Sequence, residues 1–561
     1  MRVYLRFLLI IIILSVSGIA FSQFELVPVS NPVYDFLKKM QLKGYIENYN
    51  SASLPVSRKE VAEYLNLIKN HADRLSDIDK QYLSDYKVEF EYEMTGEVKN
   101  QKSLFSQFTG ENIISDKYQK YLYYYTDTNA AFFLDVIGEI SHRESNGDSI
   151  GINSITLGEV GFRLRGTLFN SLGFYLRASN GQKLIGKDKD VIFAASTDPL
   201  LHSTEKWVNE HKNFDSFQGY LRYQTKTNWF GLTIGREALN QGFGYIDKMF
   251  LSNNAVPFDM IKVDLAYKIF KYSFTYGALK GDSLGTDMQW KSIATHRLDL
   301  NFSRVFKLGL TETLIISSTP FSINYINPLG FIVSEDLNTG AKTTMQNNAL
   351  MGIDMEINPV NNLAFQGTLL IDDINLATIT HFDSTSYENK FGFQAGALWT
   401  NAFYIPNLTF SLEYTRLNPF VYTHRTNKNQ YTNWGLSLGH ALPPNSDEIA
   451  AKLKVDITSR IILDLLYQYQ RSGDGFEYDT FGNVIINYGG TLSRGDLDNK
   501  LNSLFLQGHR INRSIFTLNL TFQPVRQYFL ALKYQYKLSD SKYLGKTFQD
   551  SYFFLTVGID Y

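Results

Sequence analysis

Residues 528–537 read Tyr528-Phe529-Leu530-Ala531-Leu532-Lys533-Tyr534-Gln535-Tyr536-Lys537. Tyr528, Leu530, Leu532, Tyr534 and Tyr536 take every second position, and Lys533, Gln535 and Lys537 alternate with them. Successive strand residues point to opposite faces, so this is a strand with one apolar, ring-bearing face and one wet face. The same period runs through Leu298, Leu300 and Phe302 against Arg297, Asp299, Asn301 and Ser303. It runs again through Phe516, Leu518, Leu520 and Phe522 against Thr517, Asn519 and Thr521. A soluble sandwich alternates with its polar face outward, and a transmembrane barrel with its polar face inward. Alternation alone leaves both open.

Connection lengths separate them. About eighteen strands are predicted from residue 130 onward. Links after even-numbered strands are short, as at Asn170-Ser171-Leu172, Lys226-Thr227-Asn228, Asn361-Asn362, Ser459-Arg460 and Arg526-Gln527. Links after odd-numbered strands are long, as at 180–214, 237–258, 319–346, 418–446 and 473–510. Tight turns on one rim and long loops on the other are the asymmetry of outer-membrane barrels. A sandwich has no reason to obey it. The expected fold class is mainly β: a transmembrane antiparallel β-barrel of about 18 strands over residues 129–561, with a small N-terminal α-helical bundle. The last strand sets Phe553, Leu555, Val557 and Ile559 on one face and stops at Tyr561, which looks like the signal read by barrel-assembly machinery.

Composition agrees by exclusion. The 561 residues include 36 Tyr, 41 Phe and 5 Trp but no Cys, so disulfides, zinc-thiolate sites, iron–sulfur clusters and a lipid-anchor cysteine are out. Lys and Arg number 54 against 56 Asp and Glu, so no basic surface points to nucleic acid. Past the N-terminus no apolar run approaches the roughly 20 residues a membrane helix needs. At the N-terminus, Arg2 and Arg6 precede the apolar run Phe7–Leu14, and Ala20-Phe21-Ser22 fits a cleavage site. Residues 1–22 therefore read as a Sec signal peptide.

Residues 23–93 read as a helical bundle docked on the periplasmic end of the barrel, with an independent mini-domain as the other option. Asn31-Pro32 opens a helix carrying Val33, Phe36, Leu37 and Met40 on one face. Ser57-Arg58-Lys59-Glu60 is a capping box ahead of Val61, Tyr64, Leu65 and Ile68, and Ser76 with Asp79 opens a third helix. Val88, Phe90, Tyr92 and Met94 then alternate with Glu89, Glu91 and Glu93, which reads as the start of a strand. Residues 94–128 are left as a connecting segment.

Two loop segments carry a resemblance. One is Gly242-Phe243-Gly244-Tyr245 followed by Leu251-Ser252-Asn253-Asn254-Ala255-Val256-Pro257. The other is Glu413-Tyr414-Thr415-Arg416-Leu417-Asn418-Pro419, then Tyr422-Thr423-His424, then Leu438-Gly439-His440-Ala441-Leu442-Pro443-Pro444-Asn445-Ser446-Asp447-Glu448. Together with Leu370-Ile371-Asp372-Asp373 they resemble segments of the capsule-assembly Wzi family, in its Bacteroidota form. The resemblance implies a lectin-like barrel of the cell outer membrane that binds or anchors capsular or surface polysaccharide. Its partners would be that polysaccharide, outer-membrane lipid and the barrel-assembly machinery. We expect a monomer, with no cofactor and no nucleic acid.

Sugars are recognised by planar amides and carboxylates and by rings stacked on their apolar faces. Asn253, Asn254, Tyr422, His424, His440, Asn445 and Asp447 are candidates of those types on the long-loop rim. The alternative is that they brace the loops through turn chemistry and buried networks. A different function, a solute channel, would show a charged ring on inward strand faces, and Arg163, Arg165, Arg177 and Arg222 are candidates for one. Paired with Asp135 and Glu139, the same arginines would close the lumen. An enzyme finds little support. The nine His form no metal-spaced motif, no serine sits in an elbow, and His424, His440, Asp447 and Glu448 read first as loop hydrogen-bonding groups. Asp372 and Asp373 face opposite ways unless a bulge intervenes, and Glu413 and Arg416 lie on opposite faces.

Overall fold

The structure, a computed structural model, describes residues 23–105, 113–280, 290–317, 323–328, 330, 347–373, 390–424, 427–492 and 504–560. The predicted signal peptide and Tyr561 lie outside the described residues.

Eighteen antiparallel strands close into one barrel. They are β1 (Ala130–Gly147), β2 (Asn153–Leu168), β3 (Leu172–Ile185), β4 (Asn213–Gln224), β5 (Phe230–Glu237) and β6 (Phe258–Tyr267). Next come β7 (Phe270–Lys280), β8 (Trp290–Asn301), β9 (Phe306–Ile316), β10 (Asn348–Val360), β11 (Leu363–Asp373) and β12 (Lys390–Thr400). The last are β13 (Leu408–Leu417), β14 (Ser446–Asp456), β15 (Ile461–Ser472), β16 (Ile511–Phe522), β17 (Tyr528–Ser541) and β18 (Lys546–Asp560). The choice between sandwich and barrel is decided by the two faces. Val160, Phe162, Leu221, Ile234, Phe516 and Val557 stand exposed on the outside, a placement that suits lipid and not water. Arg297, Asp299, Asp354, Glu356 and Glu413 point inward and are at most 2% exposed.

The seam is closed by β18 against β1, from Asp550 opposite Gly147 to Asp560 opposite Ile137. Beyond Asp560 the edge of β1 is taken over by Tyr123–Thr126, with Tyr123 opposite Leu134 and Thr126 opposite Ala131. Part of the segment that the sequence left as a connector thus completes the wall. The loop parity holds with two exceptions. The links 148–152 and 542–545 are short although they lie on the long-loop rim, because β1 and β17 run on as strand to Gly147 and Ser541.

The N-terminal region contains α1 (Val33–Leu42), α2 (Arg58–Lys69), α3 (Asp77–Glu89) and α4 (Glu91–Thr95). The capping hydroxyls are where the sequence put them: Ser57 accepts from Glu60 N–H at 3.3 Å and Ser76 from Asp79 N–H at 3.2 Å. Residues 88–94 are helical, not the start of a strand. Tyr82, Tyr86 and Phe90 recur every four residues and join the bundle core, with the Phe36 ring 5.3 Å from Tyr86, so the helical period wins. The bundle is tied to the tight-turn rim by Lys39–Asp456 at 3.0 Å and by Asp85 with Arg460 at 2.9 Å and Arg526 at 3.2 Å.

Candidate functional site

The lumen is plugged from both rims. The N-terminal segment Ser53–Leu54 pairs antiparallel with Asn240–Gln241 from the loop between β5 and β6, and Gly242 N–H donates to Ala52 O at 2.9 Å. Gly242 has φ +112°, a backbone setting that favours glycine. Wall carboxylates hold the rest of that loop. Glu413 accepts from Tyr245 N–H at 2.8 Å and Asp247 N–H at 3.2 Å, and Asp354 accepts from Phe243 N–H at 3.0 Å. Buried charge needs a partner, and these have them. Arg297 reaches Asp299 at 2.8 Å and Asp354 at 3.1 Å. Glu356 takes Lys38 at 2.6 Å, Lys307 at 3.5 Å and the Tyr245 hydroxyl at 3.2 Å. The Lys248 ammonium donates to the carbonyls of Gly242 and Ser51, clamping loop to bundle.

The candidate basic ring is mostly spent in the same way. Arg163 pairs with Asp135 at 2.6 Å and Asp560 at 2.9 Å, Arg165 with Glu25 at 2.9 Å, and Arg222 with Asp264 at 2.9 Å. Arg177 has no ion pair within 4 Å among the described residues, and neither has Glu139, so the closing pair with Glu139 is not formed.

On the long-loop rim the two motif segments lock together. The Ser252 hydroxyl donates to Gly439 O at 2.6 Å, and the Asn254 amide donates to Gly439 O at 2.8 Å and to Asp247 at 2.9 Å. Asp247 also accepts from Ala441 N–H at 2.8 Å. The Tyr422 hydroxyl donates to Met249 O at 2.6 Å, its ring stacks on Tyr431 at 5.3 Å, and burial pushes its phenol well above the ordinary value. Asn445 donates to Tyr488 O at 2.9 Å and Gln507 O at 3.1 Å, and accepts from Leu506 N–H at 2.7 Å. His440 Nδ1 accepts from Leu442 N–H at 3.0 Å, and Asp447 takes Arg471 at 2.8 Å.

Tyr422, His440, Asn445 and Asp447 are therefore interior braces, at most 2% exposed, and not groups offered to solvent. Asn254 is half-buried and braces as well. Asn253 is exposed and His424 half-buried, so these two keep a place on the surface. The bulge that the Asp372-Asp373 pair required is present, between Ile371 and Asp373, and Asp372 accepts from Tyr422 N–H. Arg416 does not meet Glu413; it lies over the Phe505 ring at 3.8 Å. Among the described residues no group of three or more His, Asp or Glu is placed to hold a metal.

Two cavities stand out among the described residues. One, of about 630 Å³, lies at the seam of bundle and barrel beside Tyr45, Tyr64, His71 and Asn228. The other, of about 440 Å³, lies inside the wall of β15–β18, with Thr197 and Pro443 from the long loops beside it. Its wall carries Arg513, Lys533 and Lys537, which the sequence reading did not single out. For the two lysines the signal was present in the polar half of the 528–537 alternation.

A closed barrel with an apolar outer belt and a plugged bore is an outer-membrane barrel. Residues 130–539 match the family described as capsule assembly protein Wzi, and the chain belongs to that family. It is similar to the solved structure of Wzi from Escherichia coli, described as an outer membrane protein involved in group 1 capsule assembly and a carbohydrate-binding β-barrel. Identity is 12%, the TM-score is 0.55, and the match covers 96% of this chain and 99% of that one. It is also similar to OprD of Pseudomonas aeruginosa, at 8% identity and TM-score 0.43 over 76% of this chain and 95% of that one. OccK8 (OprE) of the same organism matches at 8% identity and TM-score 0.42, over 76% and 98%. No curated protein matches the chain.

Proposed function

We propose that the protein binds or anchors capsular or related polysaccharide at the cell surface, as a lectin-like barrel and not a conduit. The observation that carries this reading is the filled bore. Glu413, Asp354 and Glu356, the inward groups that would line a channel, are committed to a plug built from both rims. The work then falls to the long-loop rim and the cavity beneath it. In this reading residues 1–22 direct export, the bundle faces the periplasm, the long loops face outward, and the barrel-assembly machinery inserts a monomer. Asn253 and His424 are surface contacts for sugar, while Tyr422, His440, Asn445 and Asp447 hold the cap rigid beneath them. A preorganised cap loses less conformational entropy on binding a flexible glycan.

Deleting the gene in its own host is the direct test. Cell-bound polysaccharide falls and appears in the medium; unchanged surface polysaccharide overturns the reading. In planar bilayers the purified barrel gives no large, stable open current, and such a current would restore the channel.

A further inference from the structure

We infer that the luminal cavity inside β15–β18 is a binding site for an acidic oligosaccharide, a deepening that rests on the polysaccharide reading. Arg513, Lys533 and Lys537 line it, and none has a carboxylate within 4 Å among the described residues. Elsewhere in the lumen Arg163, Arg165, Arg222, Arg297 and Lys307 each have one. The one carboxylate across the ladder from Lys537 is Asp550, and it is occupied by the N–H groups of Ser149 at 2.9 Å and Ile150 at 3.2 Å. Among the described residues Arg513 donates to a hydroxyl, that of Ser472 at 2.8 Å, and to no carboxylate. Like charges gathered along a wall with no counterion in contact repel, and they are relieved when an anion enters.

The same wall supplies a sugar platform. Tyr552 stands opposite Gln535, between the two lysines in register, and Phe554 stands opposite Lys533, whose ammonium lies 5.3 Å from that ring. Ring faces pack on the apolar faces of pyranoses, and the Gln535 amide suits hydroxyl pairs. Lys533 and Lys537 sit about 13 Å apart along the strand. A ligand that follows this row past Gln535 and Tyr552 is an oligosaccharide bearing more than one acidic group. Carboxylate and phosphate substituents share that chemistry.

The test uses the full chain purified in detergent, with trigalacturonate, maltotriose and inorganic phosphate as probes in calorimetry. Wild type binds trigalacturonate, and binding weakens on going from low to high salt. The triple variant Arg513→Gln, Lys533→Gln, Lys537→Gln binds it about a hundredfold more weakly, while maltotriose binding is unchanged. Tyr552→Leu weakens trigalacturonate without altering phosphate. Heat-dependent gel mobility reports that each variant is a closed barrel. No binding of trigalacturonate by wild type, equal binding by the triple variant, or phosphate bound as tightly as the sugar overturns the site. If gene deletion sheds polysaccharide while the triple variant still binds trigalacturonate like wild type, this site falls and the surface-holding reading stands. If deletion changes nothing, that reading falls and the calorimetry still reports on the site.

Discussion

The two sides of the lumen are built from the same alternation and reach opposite electrostatic states. On β8–β13 every second residue faces inward; Arg297, Asp354 and Glu356 are buried and ion-paired, and Glu413 is buried and held by N–H groups of the plug. On β16–β18 the inward row carries Arg513, Lys533 and Lys537, with rings and an open cavity but, among the described residues, no carboxylate within 4 Å of them. A satisfied interior is a structural solution, since each charge is paired or hydrogen-bonded where it stands. An unpaired one keeps its field for something that arrives. Inward polarity is thus not one property, and the partner of each charge tells which kind it is.

The largest break in this comparison comes from Arg297→Ala. It strands Asp354 and Asp299 as buried, unmatched acids and should cost about 3–5 kcal/mol in denaturant unfolding of the barrel. Tyr422→Phe removes only the hydroxyl that holds Met249 O, at about 1 kcal/mol, and should speed proteolysis of the cap without changing barrel closure. At the tight-turn rim, burial pushes the Asp79 carboxyl up while Lys39 and Lys43 pull it down harder, so the group ends below its ordinary value. Its contribution to bundle stability is therefore full above the unfolded carboxylate value of about 3.9 and is lost as pH falls through the folded value. Asp79→Asn should flatten the acid limb of unfolding measured between neutral and strongly acid pH. Smallest of all, Lys533→Gln with Lys537→Gln should shift stability by no more than about 0.5 kcal/mol, because no ion pair within 4 Å is lost. A cost as large as that of Arg297→Ala would erase the distinction between the two walls.

All eighteen strands, the helix caps and the rim asymmetry were legible in the sequence because they are local: period two, tight turns, a hydroxyl three residues before an acid. The plug was not, because its contacts join residues far apart in the chain, Ser53 to Gln241 and Lys38 to Glu356. Tyr422 and Asn445 were readable as turn residues, at Asn-Pro and Pro-Pro steps, but a turn does not say which way its side chain faces. Both prove to point inward, and each has positive φ. At 88–94 a helix was hidden by its glutamates. Over so few residues, acids at every second position mimic a strand even while Tyr86 and Phe90 keep helical spacing.

The short strand Tyr123–Thr126 carries one more consequence. It lies before β1 in the chain yet finishes the edge that β18 leaves open, and it hangs from the segment in which Lys120 N–H donates to Gln527 at 2.6 Å. The last rungs of the wall are therefore supplied by the tether of the bundle itself. Full closure of the seam and seating of the stopper draw on the same stretch of chain, which makes sealing the bore part of zipping the cylinder.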